Sequence, residues 1–319
     1  MSVAENASGP CGSKILVDFS YIGTGFHPNT VESQLFTAFA KASMAANVLN
    51  KFVLMYHNRM HSSGYERCGR TDKDVHALHN YCSFFLDPCS PEDHCMRSSD
   101  REHGSGVCYR IKSFVKAVNK HLPRSIRINS VDAVPDNFSA RRCCVSRTYK
   151  YFFKLGTMNL SSMQEASQEF VGCRVNSKTH VVQVGSHNFL QFCKMDSRNP
   201  KGPNTTIYSF TIEHYNDILS VATIIGRSFL WHQVRCMVGM LFLVGNGTIS
   251  GVTIKELLEH PQGPKYNYKM ASPHGLVLAD CSYEIQLEPR RLSSHAVYRE
   301  ELEHSIQRLG PLSLLATNE

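Results

Sequence analysis

Apolar and polar positions follow a repeated order along the first 134 residues. Ile15-Leu16-Val17-Asp18-Phe19-Ser20-Tyr21 reads as a strand, closed by the turn-forming Gly23-Thr24-Gly25. Leu35, Phe36, Phe39, Ala40 and Met44 then share one face of a helix running to about residue 47, with Thr30 as its N-cap. Phe52 to Tyr56 predicts a second strand, followed by a polar loop from His57 to Tyr65. Val75 to Leu86 predicts a third, in which Val75, Ala77, Tyr81, Ser83 and Phe85 carry the alternation. Residues 87–107 break the pattern: Pro, Ser, Asp, Glu, His and Gly dominate, as in an exposed insertion. Tyr109 to His121 returns to helical spacing through Ile111, Phe114, Val115 and Val118, and stops before Pro123. Ile126, Ile128, Val131 and Val134 mark the next strand.

Strand, helix, strand, strand, helix, strand is the order of a ferredoxin-like α+β sandwich, whose open sheet face commonly carries RNA. The second half opens on a concentrated segment, Phe138–Leu155, with cations among aromatics at strand spacing, followed by a helix around Ser161 to Phe170. A short element follows at Val184–Phe192, then paired strands at Thr205–Tyr215 and Leu219–Ile225, joined at Asn216-Asp217. Ser228 stands as the cap of an apolar helix that Gly245-Asn246-Gly247 ends. A helix at Thr253–His260 and a strand at Gly275–Tyr283 complete the chain's core pattern. The expected organisation is a tail at 1–13, one half at 14–137, a second at 138–285, and a tail or surface helix at 286–319.

Composition narrows the class. The 319 residues are 42% hydrophobic and 19% charged, which supports a sizeable core and argues against disorder. Thirty-four Lys and Arg against 27 Asp and Glu give +7, compatible with a polyanionic partner. The 12 cysteines contain no CxxC pair, and their spacing speaks against both a disulfide framework and a structural zinc. Cys82, Cys236 and Cys281 lie in apolar runs and read as small buried hydrophobes. With no signal peptide pattern, reduced thiols in the cytoplasm or nucleus are the expectation.

Chemistry concentrates in three places. Cys68-Gly69-Arg70-Thr71-Asp72-Lys73-Asp74-Val75-His76-Ala77 sets a carboxylate, Asp72, on a short turn ahead of a strand. Arg141, Arg142, Arg147 and Lys150 interleave with Tyr149, Tyr151 and Phe153, as phosphates and exposed bases require; an amphipathic strand with a solvated basic face has the same look. Arg235 stands on a mostly apolar helix, where a buried guanidinium needs a carboxylate or carbonyls; an Arg snorkelling at a surface edge is the alternative.

These segments together resemble the TruA-type tRNA pseudouridine synthases. The family's Gly-Arg-Thr-Asp-x-Gly-Val-His stands here as Gly69 to His76, and its Phe-x-Ala-Arg and Arg-x-Tyr-x-Tyr as Phe138–Arg141 and Arg147–Tyr151. Phe229 through Arg235 to Val238-Gly239, and Gly275-Leu276-Val277-Leu278, match two further motifs, so the resemblance runs over about residues 14–285. Phe189–Asp196 and Phe229–Met237 look like the eukaryotic branch that acts at tRNA positions 38 and 39. The resemblance implies two ferredoxin-like halves with joined antiparallel sheets around a catalytic cleft, often as a homodimer, acting on tRNA with no metal or cofactor.

By the same resemblance Asp72 is the catalytic carboxylate, as nucleophile or as base, with Arg235 pairing and orienting it. Tyr149 stacks on the flipped base and its hydroxyl assists proton removal. Arg70 and Thr71 hold the everted nucleotide, Leu276 forms an apolar wall, and Arg141 contacts RNA. Arg142, Arg147, Lys150 and Lys73 are candidates for the phosphate backbone. Two departures stand out. Asp74 replaces the family's Gly, and the segment 23–30 is short. They define the alternative reading, a weakly active or inactive tRNA-binding relative that serves as RNA chaperone or partner.

Overall fold

A computed structural model describes residues 14–26, 30–46, 64–85, 109–171, 173–175, 182–194, 202–285 and 287. The strand expected at 52–56, the 87–107 insertion and the tails at 1–13 and 288–319 lie outside them. Eleven strands and five α-helices are described. The strands are β1 (Lys14–Tyr21), β2 (Glu66–Arg67), β3 (His76–Phe85), β4 (Ile126–Ala133), β5 (Cys144–Phe153), β6 (Cys173–Val175), β7 (Val182–Val184), β8 (Ser186–Asn188), β9 (Asn204–His214), β10 (Ser220–Gly226) and β11 (Leu276–Tyr283). The helices are α1 (Val31–Ala46), α2 (Tyr109–His121), α3 (Leu160–Ser167), α4 (Gln233–Gly245) and α5 (Gly251–Glu259).

One mixed sheet of nine strands organises the molecule. Its order is β4-β1-β3-β11-β5-β10-β9-β8, with β2 paired to β3 off that path. Every β1 residue is buried, although its sequence alternates. The polar positions survive burial because they are paired. Asp18 meets His79 Nδ1 at 2.7 Å and accepts from Asn129 at 3.2 Å, and Ser20 donates to Asn129 at 3.1 Å. Helix α1 packs against α2, and α3 against α4 and α5. Thr30 caps α1 by accepting from the Ser33 amide at 3.1 Å.

The site depends on the seam between the two sets of strands. The two sets of strands join through a parallel pairing, His76 with Val277 and Ala77 with Leu278. The last strand, β11, runs antiparallel to β5 and thereby enters the seam in the direction of β3. Residues 68–75, which lead into β3, are therefore set beside Leu276 at the start of β11 and beside Tyr149, which lies opposite Leu278 on β5.

Two local features differ from a plain reading of the pattern. Within the Phe138–Leu155 segment the strand begins at Cys144, because Ser139 draws residues 139–143 into a turn. Its carbonyl accepts from the Cys143 amide at 2.9 Å and its hydroxyl from the Arg142 amide at 3.1 Å. Ser228 does not cap α4. Its carbonyl accepts from the Thr205 hydroxyl at 2.6 Å, and the helix starts five residues later, after His232 in the left-handed conformation (φ 63°). The Gln233 side chain reaches back to accept from the Leu230 amide at 2.8 Å, which fixes the entry to the helix.

His76 opens β3 at the seam with no exposed surface, and its Nδ1 accepts from the Gly23 amide at 3.2 Å. Burial pushes its pKa down from 6.5 to about 4, against smaller opposing contributions from a backbone bond to His274 and the charge of Asp74. The unfolded chain takes up a proton below pH 6.5 that the folded chain refuses until about pH 4, so stability falls as pH drops through that window. We expect denaturant midpoints to register this as up to about 3 kcal/mol lost between the two pH values, with a shallower slope in His76→Gln. Parallel pH profiles for the two proteins would remove the assignment.

Candidate functional site

Asp72 lies at the head of a tight turn. Its carbonyl accepts from the Val75 amide at 3.2 Å, and Asp74, the third residue of the turn, has φ 65°. That position of such a turn demands a positive φ, which glycine meets freely and Asp or Asn better than other residues. The Asp74 departure thus leaves the turn intact. The approach to it is anchored at both ends. The Cys68 amide donates to Tyr81 O at 2.7 Å, and Asn80 Nδ2 donates to Gly69 O at 3.3 Å and to the Tyr21 hydroxyl at 3.2 Å. Tyr21 in turn shares a 2.8 Å hydrogen bond with the Thr71 hydroxyl. Gly23 backs directly onto the turn: a Cβ there would fall 2.0 Å from Val75 O.

Helix α4 supplies the other side. Arg235 Nη1 lies 3.4 Å from Asp72 Oδ2, while its Nε donates to Ala271 O at 2.8 Å. His232 Nε2 lies 3.5 Å from the same carboxylate oxygen. Burial lowers the His232 pKa, the Arg235 and Lys194 charges lower it further, and the Asp72 charge opposes them. The imidazole is therefore neutral near pH 7, and the charged pair at the centre is Asp72 with Arg235. Asp74 and His232 are the non-glycine residues with positive φ among the described residues, and they flank this carboxylate from the two sides.

Tyr149 is buried on β5, its ring edge-on to Phe229 at 5.0 Å between centroids. Burial raises its phenol far above the ordinary range, so the hydroxyl stays protonated. It can donate or accept a hydrogen bond, but the tyrosinate needed for a strong base is disfavoured. Leu276 is buried opposite Tyr151. A cavity of about 400 Å³ opens beside the turn; Thr71 and Asp72 line it together with Phe19, Phe26, Leu35 and the Glu32–Arg67 ion pair. Arg235, His232, Tyr149 and Leu276 do not line it, so Asp72 is the group shared by cavity and ion pair.

The cations divide into two kinds. Arg70, Lys73, Arg141 and Arg142 are exposed, Arg142 forming a loose 3.2 Å pair with Glu66. Lys150 is half-buried on β5. Arg147 is a strut: its guanidinium donates to Arg227 O at 2.7 Å, to Cys68 O at 2.9 Å and to Arg141 O at 3.5 Å. It ties the Cys68 end of the Asp72 segment to β5. Sequence reasoning missed His232 and Tyr21. His232 is one of 16 histidines, and its position three residues before Arg235 was the only signal. Tyr21 read simply as the end of a strand.

Comparison with known proteins adds the following. Residues 182–284 match a family model described as tRNA pseudouridine synthase. A tRNA pseudouridine(38/39) synthase of Mus musculus is 30% identical over 318 residues, covering 89% of this chain and 60% of the relative. A Bos taurus protein of the same description is 31% identical, covering 89% and 61%. The tRNA pseudouridine synthase A of Methanoculleus marisnigri is 30% identical over 271 residues, covering 85% of this chain and 83% of the relative. The chain spans about three fifths of the length of the two mammalian relatives.

The turn geometry makes a stability test. Asp74→Asn keeps a side chain that tolerates the left-handed region, so its melting temperature should match the wild type. Asp74→Val places a β-branched residue at φ 65° and should lose about 1–2 kcal/mol. Equal stability of the two variants would show that the turn does not hold this conformation in solution.

Proposed function

The chain belongs to the TruA-type tRNA pseudouridine synthases, and from that premise we propose that it isomerises uridine to pseudouridine in tRNA, at positions 38 and 39 of the anticodon stem-loop. The site is supported by the two halves of the sheet, each read here as ferredoxin-like. The strand orders β4-β1-β3 with β2, and β11-β5-β10-β9, support that reading, since both repeat one pattern, with two helices in the first half and three in the second. The resemblance supplies the homodimer as part of the same proposal, together with a cytoplasmic or nuclear location.

The observation that carries the proposal is the carboxylate of Asp72 held against Arg235 at the seam. In the reaction the C1′–N1 bond breaks, uracil rotates, and C5 bonds to C1′. Asp72 either attacks the sugar as a nucleophile or removes a sugar proton to begin glycal formation. Both routes need an ionised, oriented carboxylate. Arg235 pairs with that carboxylate, and its bond to Ala271 O fixes the guanidinium. His232, neutral beside the same oxygen, can orient the carboxylate without adding charge. The target nucleotide must leave its stack to reach this position. Arg70 and Lys73, exposed on the Asp72 segment, and Arg141 and Arg142 on the turn before β5 are suited to phosphate contacts. Tyr149 and Leu276 give the base an aromatic and an aliphatic neighbour. The protonated phenol supports a stacking or hydrogen-bonding role over a strong-base role.

Asp72→Asn keeps the size of the side chain and removes its charge. Pseudouridine formation on unmodified tRNA transcript should fall by at least about 10²–10⁴-fold while tRNA affinity holds. Turnover at the wild-type rate would eliminate Asp72 as the catalytic group. Tyr149→Phe should retain turnover within about tenfold if the ring serves by stacking, since stacking survives and a general base contributes about 10²–10⁴-fold. A larger loss, with affinity unchanged, would assign proton transfer to the hydroxyl.

A further inference from the structure

Three buried thiols meet where the Asp72 segment joins the sheet. Cys68, four residues before Asp72, Cys144 at the start of β5, and Cys281 on β11 place their sulfurs all within 4.8 Å of one another. They are 3%, 8% and 1% exposed. The absence of CxxC pairs argued against a site built from neighbours in sequence; this cluster draws its members from three separate strands or strand ends. We propose that Cys68, Cys144 and Cys281 form a thiolate site for one soft d¹⁰ cation, copper(I) or zinc(II), that clamps the Asp72 segment to β5 and β11.

The chemistry of the donors supports this. Thiolates select soft cations over magnesium or calcium. Three sulfurs complete a trigonal environment for copper(I), while zinc(II) takes a fourth donor. Among the described residues no His, Asp or Glu joins the cluster. Among the described residues the thiols meet weak partners: one another, the Tyr283 hydroxyl beside Cys68, Ser146 O at 3.3 Å from Cys144 and His79 O at 3.8 Å from Cys281. Exchanging such bonds for sulfur–metal bonds leaves no strong donor stranded.

Charge also fits. Three S–H protons leave to solvent as the sulfurs bind, so a zinc complex carries −1 and a copper(I) complex −2. The always-protonated guanidinium of Arg147 stands at this point, bonded to Cys68 O at 2.9 Å and opposite Cys281 in the β5–β11 ladder. A buried anionic cluster needs such a counter-charge. The donors include neither Asp72 nor Arg235, so ion uptake can be read apart from the reaction assigned above.

The test uses the full chain, reduced and freed of metal under anaerobic conditions, then titrated with zinc(II), with copper(I), and with cadmium(II) as a spectroscopic probe of thiolate ligation. We expect one ion per chain, a thiolate-to-cadmium charge-transfer band, and joint protection of Cys68, Cys144 and Cys281 from alkylation, read by mass spectrometry on the wild type. Cys281→Ser should weaken binding by more than about 100-fold, since even loss of an outer partner costs 10–100-fold. Cys143→Ser, which alters the exposed neighbour, should leave binding unchanged. Uptake of neither zinc(II) nor copper(I) would overturn the proposal, as would undiminished binding in folded Cys281→Ser. Metal-dependent protection confined to cysteines outside the trio would overturn it as well. These readouts follow metal and thiols, so they fail or succeed whatever the outcome of the pseudouridine assay.

Discussion

A guanidinium and a carboxylate from positions 163 residues apart meet at 3.4 Å, and the rest of the site is arranged around that contact. Its worth is positional more than energetic. A partly buried ion pair gives back in desolvation much of what it gains in attraction, whereas removing one partner strands the other and costs about 3–5 kcal/mol. Such a pair commits two elements to each other. Here it commits the turn that precedes β3 to the first turn of α4, across the parallel join of β3 and β11. Everything that fixes either side, from Asn80 and Tyr21 under the turn to Ala271 behind the guanidinium, keeps the carboxylate against its partner.

The regular elements were legible because their patterns are local. Strands β3, β4, β9, β10 and β11 and helices α1, α2 and α5 lie within about three residues of where alternation and helical spacing set them. What the pattern did not carry was competition between a local bond and a strand or helix. Ser139 turned the residues ahead of β5 aside, and Thr205 took the Ser228 carbonyl that a cap gives to the first turn of its helix. The parallel seam was also invisible, since strand pairing across 200 residues leaves no mark in the periodicity of either strand.

The candidate site divides the same way. Asp72 and Arg235 were readable one at a time, as a carboxylate on a turn and a cation on an apolar helix. Their meeting rested on a family resemblance, and the geometry gives it a distance. Arg147 read as a free cation because a strand of alternating basic and aromatic residues is the same on paper whether its guanidinium faces solvent or three carbonyls. His232 was missed because its role depends on a left-handed backbone that no spacing rule predicts. The thiol trio escaped for a related reason: its members are 76 and 137 residues apart in sequence and adjacent only through the seam.

The two left-handed residues deserve to be considered together. Each costs on the order of 1–3 kcal/mol unless its surroundings hold it. At Asp74 the surroundings are the Asp72–Val75 hydrogen bond and the backbone of Gly23, which leaves no room for the turn to relax. At His232 they are the Gln233–Leu230 bond and the helix that starts one residue later. A glycine at either position would remove the steric cost but enlarge the ensemble of the unfolded chain. At 232 it would also remove the imidazole beside Asp72. An aspartate at 74 therefore accepts a modest local strain in exchange for a less mobile turn. The departure from the family's glycine is a different solution to one backbone constraint, and the constraint exists because the carboxylate two residues earlier has to meet a guanidinium delivered by the other half of the sheet.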